Sequence, residues 1–399
     1  MKNKAIFIFC YIIFSSVILM AQNEISTWYD SDKNLLKEKF YVSNINGQNV
    51  KNGLYCIYFE NGKLWQKGIY KNGLLDSIWI DNYYNGKIKQ YLRYESGKLN
   101  GVTKIFYESG QLKQNLNYKD DMLNGFVELF YENGRVKEKS YYTNNVLNGK
   151  VKAYFEKGNM RFEKTFVNGI ENGYSKEYYE NGKIKEKLNK TNGVLDSVFV
   201  GYYKEYENGT LQKKCIYENG VLNGLYVGYY HDGSKMVECT YINNNIEGKY
   251  TYYYGKEKSE GLTVNQIKEE GYYINNLRTG LWKAYYPDGK LFSIGNYKNN
   301  LFSSTWKIYY NNGNIKQIGE YLDANAIGEF KFFYKNGGLK NTGNYSKNKK
   351  DGIWKTYYES GELLSKIYFR NGVRNGDAYG YDKNGNQIEH KIFIDGEEK

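Results

Sequence analysis

The 399-residue chain contains one proline, Pro287, two histidines and four cysteines, and beyond its N-terminus it has no long apolar run. Each scarcity excludes something. With so little proline, almost every residue can donate to a β-ladder. His231 and His390 lie far apart, one beside a turn and one in the last hairpin, so a histidine metal cluster or a catalytic triad would have to be assembled from distant parts of the chain. The carboxylates Glu60, Glu108, Glu132, Glu180, Asp232, Asp288 and Glu359 sit just before turn glycines and belong to turn flanks, where they pair with lysines across the hairpin. No catalytic constellation, metal site or cofactor site emerges, and the expectation is a non-enzymatic protein. The absence of a second apolar run leaves no transmembrane helix once the N-terminal segment is removed.

What is abundant is tyrosine, 46 residues, and glycine, 43 residues. Aromatic strands alternating with glycine turns describe an all-β chain. The segment Lys283 to Tyr297 states the unit: two aromatic residues run into Asp288-Gly289, and a strand returns through Leu291 to Tyr297. Turn glycines recur at Gly62, Gly86, Gly110, Gly134, Gly158, Gly182, Gly209, Gly233, Gly289, Gly313, Gly337, Gly361 and Gly385, almost always 24 residues apart. A fixed period of this length is the signature of tandem repeats. The expected fold is a tandem array of 24-residue β-hairpins forming an elongated, twisted, antiparallel sheet one layer thick.

Asn-Gly and Asp-Gly suit a two-residue hairpin turn with positive φ at both positions. Pairing outwards from such a tip sets a second glycine, nine residues before each tip as at Gly101 or Gly280, opposite an aromatic residue such as Tyr118 or Tyr297. A ring lying over bare backbone is then the expected reason for that glycine. Period two sorts the unit around Gly361 into Trp354, Thr356 and Tyr358 with Leu363 and Phe369 on one face, and Lys355 and Tyr357 with Leu364 and Lys366 on the other. A three-residue tip with a bulge would set Tyr358 opposite Glu362 and mix lysine with tryptophan, so the apolar pattern favours the two-residue turn.

The polar face repeats one cation and one ring per unit: Lys283 with Tyr285, Lys307 with Tyr309, Lys331 with Phe333, and Lys355 with Tyr357. Equivalent residues recur about every 9.6 Å, two strand spacings. This ladder is the candidate binding surface. With a formal charge of +12, it suits an acidic protein, a glycan or an anionic membrane surface; lysine stems covering tyrosine rings on a solvated sheet is the plainer account. Cys215 and Cys239 occupy equivalent positions 24 residues apart, about 9.6 Å and too far for a disulfide, whose Cα atoms lie within about 7 Å. Cys56 has no evident partner.

The chain opens with Lys2 and Lys4, continues apolar from Ala5 to Met20 and reaches Ala21-Gln22. This is the pattern of a cleaved secretory signal, and it predicts export to the periplasm, the outer surface or the medium of a bacterium. The organisation reads as a signal peptide at 1–21, a divergent capping repeat at 22–50, hairpins at 51–242, a distorted repeat with an enlarged tip at 243–273, and hairpins with a C-terminal cap at 274–399.

Units such as Gly-Leu-Trp-Lys-Ala-Tyr-Tyr-Pro-Asp-Gly-Lys-Leu and Gly-Ile-Trp-Lys-Thr-Tyr-Tyr-Glu-Ser-Gly-Glu-Leu resemble the variant MORN repeat of the YwqK-type antitoxin family, over nearly all of the chain after the signal. The resemblance implies an elongated hairpin sheet that contacts proteins or phospholipids without catalysing a reaction. Its expected partner is another protein, with a toxin as one example, or an acidic envelope surface. Nucleic acid is disfavoured for an exported chain. The Trp-x-x-Tyr-Tyr strand is also similar to choline-binding repeats, which are shorter than this unit, and so gives a wall or glycan surface as the alternative.

Overall fold

The computed structural model describes residues 22–202, 210–256 and 265–399. The export signal with Cys10, the tip at Gly209 and residues 257–264 of the enlarged loop lie outside the described residues. The elements are all β-strands, and among the described residues no helix is long and apolar enough to cross a membrane. The chain divides into two compact units, one running to Met160 with Phe166–Gly169, the other comprising Arg161–Thr165 with Ile170–Lys399. Each is antiparallel throughout. In the first, Asn23–Trp28 pairs with Leu36–Ile45, which pairs with Gln48–Tyr58, and that strand with Leu64–Lys71. In the second, Leu277–Tyr285, Leu291–Lys298, Leu301–Tyr309 and Ile315–Leu322 pair in succession.

The tips are not two-residue turns. Tyr286 N–H donates to Lys290 C=O at 2.8 Å, and Gly289 N–H to Tyr286 C=O at 2.9 Å. The loop is therefore Pro287-Asp288-Gly289, a tight turn followed by a glycine at φ +84°. The Asp288 carboxylate reaches back to Lys290 N–H at 3.2 Å and holds the corner. Around Gly361, Tyr358 N–H donates to Glu362 C=O, and Tyr357 opposes Leu363, so Leu363 is not placed with Trp354 as the two-residue pairing required. A bulge follows each tip: Thr356 opposes Ser365 and Gly352 opposes Phe369. The extra residue of the bulge cancels the extra residue of the loop. Outer pairs such as Gly280 with Tyr297 and Gly101 with Tyr118 are therefore those that a two-residue tip would have produced, and tryptophan stays apart from lysine. Two-residue turns with positive φ at both positions do occur at the opposite end of the repeat, as at Asn299 (+51°) and Asn300 (+67°) between Lys298 and Leu301.

The glycine nine residues before each tip takes positive φ, from +64° at Gly280 to +118° at Gly125 and Gly224. This shared backbone is its cause in place of the ring expected from the opposing strand, although neighbours crowd some of them, as Tyr368 does Gly376. A Cβ on Gly280 would meet nothing within 4 Å, so no ring lies over it; its φ is +64°. It belongs to a second bulge: Lys283 opposes Glu270 while Thr279 opposes Tyr272, so Gly280 to Trp282 face Gly271 alone, and Ser304 to Trp306 face Gly295 in the same way. Bulges bend a strand and re-aim its side chains. At this position Ser77 and Ser304 stand in place of glycine, and both are held at positive φ, +61° and +59°.

Only one face buries side chains extensively. On it lie Tyr55, Trp79, Thr103, Val127 and Val151 in the first unit, and Trp282, Trp306, Phe330, Trp354 and Ala378 in the second, all buried and all seven residues before a tip. Neighbouring repeats are tied a second time by the tyrosine three residues before the tip. Its hydroxyl donates to a carbonyl of the next repeat: Tyr83 to Phe106, Tyr107 to Phe130, Tyr286 to Tyr309, Tyr310 to Phe333 and Tyr334 to Tyr357, at 2.7 to 2.9 Å. Each bond joins adjacent repeats, so stability is a sum of nearest-neighbour terms.

Two outcomes follow for denaturation. Ser304→Gly relieves a left-handed serine and should raise stability by about 1 kcal/mol after the added chain entropy of glycine is deducted; Gly280→Ala should lower it. Tyr310→Phe should cost about 1 kcal/mol by removing one hydrogen bond, whereas Phe155→Tyr, which supplies the missing hydroxyl at an equivalent position, should protect the neighbouring strand from hydrogen exchange.

Candidate functional site

The lysines of the ladder form a single cross-strand row on the outer face, while its rings pair beside the tips, Tyr285 with Leu291 and Tyr357 with Leu363. Lys283 lies between Glu270 and Ile294, Lys307 between Ile294 and Ile318, Lys331 between Ile318 and Thr342, and Lys355 between Thr342 and Lys366. Lys355 is exposed and the other three lysines are half-buried. Lys331 is held by Glu329 at 3.0 Å. Tyr285, Tyr309, Phe333 and Tyr357 are half-buried, and their carbonyls accept the bonds from Tyr254, Tyr286, Tyr310 and Tyr334. Tyr285 donates to Glu270 at 2.7 Å, and burial together with that carboxylate pushes its phenol up to about 12. Part of the ladder is therefore structural: its rings cover the sheet while its backbone links repeats. Beside the lysine row, Leu281, Ile353 and Tyr368 are about half exposed, but the row that joins them is polar in between, running through Asn296, Thr305, Glu320, Glu329 and Asn344.

The inner face is organised by glycines that the repeat count did not single out. A Cβ built on Gly68, Gly271, Gly295, Gly319 or Gly343 would lie closer than 3.0 Å to the ring of Trp79, Trp282, Trp306, Phe330 or Trp354, respectively. Each ring thus lies on the bare backbone of the preceding repeat, eleven residues earlier. The indoles are also pinned by their N–H groups: Trp306 donates to Asn296 C=O at 3.0 Å and Trp354 to Asn344 C=O at 3.0 Å. Where the glycine gives way to Leu92 or Leu116, the residue eleven further on shrinks to Thr103 or Val127. Cys215 and Cys239 occupy the same position, opposite Tyr226 and Tyr250. Both are buried free thiols, as is Cys56, and burial pushes the Cys239 thiol up to about 11. The eleven-residue spacing of glycine and tryptophan was visible in the sequence; only the pairing shows that the two residues touch.

Several core rings carry a cation. Lys51 Nζ lies 4.1 Å from the centre of the Tyr55 ring, Arg278 Cζ 4.3 Å from that of Trp282, and Lys350 Nζ 4.3 Å from that of Trp354. Arg278 also bonds Glu269 at 3.1 Å and donates to the hydroxyls of Tyr273 and Tyr297 at 3.3 and 3.4 Å. Burial opposes its charge, but these partners hold its pKa above the ordinary value. Beside it, a cavity of about 440 Å³ opens between Trp282 and Trp306. Its position follows from one cross-strand row, Glu269, Ala284, Ser293, Ile308 and Gln317. In the first unit the equivalent row is filled by Asp81, which accepts bonds from Trp79 Nε1 at 2.8 Å, Gln66 at 3.0 Å and Gln90. In the second, Ala284 and Ser293 are too short to fill it.

The sequence model of the MORN repeat variant matches at residues 51–72, 99–120, 123–144, 147–168, 171–189, 222–243, 278–299, 304–323, 327–347 and 350–371, more than half of the chain. The search of curated proteins found no match. Among solved structures, the crystal structure of TcdB2-TccC3-TEV is similar over 94% of this chain and 26% of that one, with 11% identity and a TM-score of 0.16. The crystal structure of TcdB2-TccC3-Cdc42 is similar over 91% and 27%, with 10% identity and a TM-score of 0.12. This chain spans about a quarter of the length of those chains.

The ring-on-glycine contact makes a direct expectation. Gly295→Ala should destabilise the protein by about 1 to 3 kcal/mol through overpacking, and the same substitution in a Trp306→Ala background should cost little. Urea denaturation of the four chains gives the coupling energy; equal costs in both backgrounds would show that the indole does not rest on Gly295.

Proposed function

The chain belongs to the MORN repeat variant family, and from that premise we propose that it is an exported, non-enzymatic scaffold that binds another protein along its outer face. The observation that carries this reading is the lysine row on that face, in which Lys283, Lys307 and Lys331 alternate with Ile294 and Ile318, and which continues to Lys355. A row that alternates aliphatic side chains with lysines fits a protein surface better than a hydrophilic polymer. The positive row selects an acidic partner and speeds its approach. An immunity role of the YwqK type, in which the partner is a toxin, is one form of this reading. The N-terminal basic and apolar segment supports export.

The experiment is affinity capture in the native host with a C-terminal tag, comparing the natural chain with a Lys283→Glu, Lys307→Glu, Lys355→Glu variant whose fold is checked by circular dichroism. A stoichiometric protein should be recovered with the natural chain and lost with the variant, and the recovered chain should begin near Gln22. Retention on anionic vesicles with no protein recovered would replace the protein partner with a lipid surface.

A further inference from the structure

The 440 Å³ cavity lies on the inner face and shares only Lys283 of its lining with the outer lysine row, and we propose that it is a binding site for a neutral saccharide ring. Its volume falls in the range of about 300 to 1,000 Å³ typical of small-ligand sites, and it is a local hollow over Ala284 and Ser293, unlike the continuous groove that an extended peptide would need. Phe292 and Phe302, both on its lining, are about two-fifths exposed, whereas Trp282 and Trp306 are buried. Apolar ring faces are thus presented at the mouth, and the fixed indoles form the wall.

Charge narrows the class. Glu269 and Arg278 neutralise each other at 3.1 Å within the lining, so the pair offers donors and acceptors with little net field; the remaining charged residue of the lining is Lys283, a member of the outer lysine row. Arg278 already lies over the faces of Trp282 and Tyr297, at 4.3 and 5.4 Å. A quaternary ammonium would have to displace one cation with another, and an anion would compete with Glu269. At the opposite end, Gln317 adds a neutral amide that both donates and accepts. Apolar faces in the middle with paired polar groups at both ends match a pyranose, whose C–H faces are apolar and whose edge carries hydroxyls. In the first unit the equivalent row of Gln66, Asp81 and Gln90 is filled by hydrogen-bonded side chains.

The inference does not depend on the outer-face scaffold, and its test uses different readouts. The full chain is applied to a printed array of neutral oligosaccharides, and the best-retained sugar is titrated calorimetrically into the natural chain, Ala284→Leu, Gln317→Leu and the outer-face variant Leu281→Ala. The expected result is saturable binding that falls at least tenfold in Ala284→Leu, which fills the floor, and in Gln317→Leu, which keeps its volume, with no change in Leu281→Ala. If Ala284→Leu fails to fold by circular dichroism, Gln317→Leu carries the test. Retention of no neutral sugar overturns the proposal, as does binding that both inner variants leave intact, or capture of a nucleoside or a proline-rich peptide in the cavity in place of the sugar.

Discussion

A β-sheet one layer thick has no second layer to cover its apolar face, so its rings must be buried by one another and by their own backbone. The contact that achieves this is a tryptophan or phenylalanine laid on a glycine of the preceding repeat, as Trp306 lies on Gly295 and Phe330 on Gly319. Glycine removes the side chain that would lift the ring, and the bulge beside Ser304 aims the indole across the strand. Sulfur, hydroxyl and short aliphatic groups serve where the opposing residue is large, which is why Thr103 and Ser175 are among the most buried residues of the chain. Burial here depends on the sum of two facing volumes, and neither residue alone predicts it.

That division of labour leaves the faces free for different tasks. Tryptophan, tyrosine hydroxyls and cation lids are spent on the inner face and on the joints between repeats, so the outer lysine row is not required for the core. Cohesion between nearest neighbours also tolerates local change. A row can be polar and hydrogen-bonded, as at Gln66 and Asp81, or left open, as at Ala284 and Ser293, without altering the register on either side. A hollow of this kind is how a repeating sheet, which is otherwise uniform, acquires one place unlike the rest.

The tips show how two errors of one residue can be hidden by a correct result. The three-residue loop shifts the pairing by one position, and the bulge at Leu291 and Phe292 shifts it back. The buried tryptophans and the opposition of Gly280 to Tyr297 are the same under either arrangement. The pairing differs only beside the tip, where Tyr285 meets Leu291, so hydrophobic periodicity along the rest of the strand could not distinguish them. Turn preference and the apolar pattern beside the tip both favoured the two-residue form, which the chain uses at Asn299-Asn300 instead. The positive φ of Gly280 was equally hidden, because a strand glycine can mark bare packing or unusual backbone, and only its empty surroundings separate the two.

By itself the sequence determined the repeat length, the all-β class, the placement of the turn glycines and the segregation of tryptophan from lysine, because each of these is a local period carried along a single strand. Tertiary structure decided which glycine lies beneath which ring, that Arg278 caps Trp282, and that Ala284 and Ser293 leave a cavity. These are sums over residues from two or three neighbouring strands, and their outcome depends on a register that two compensating bulges set.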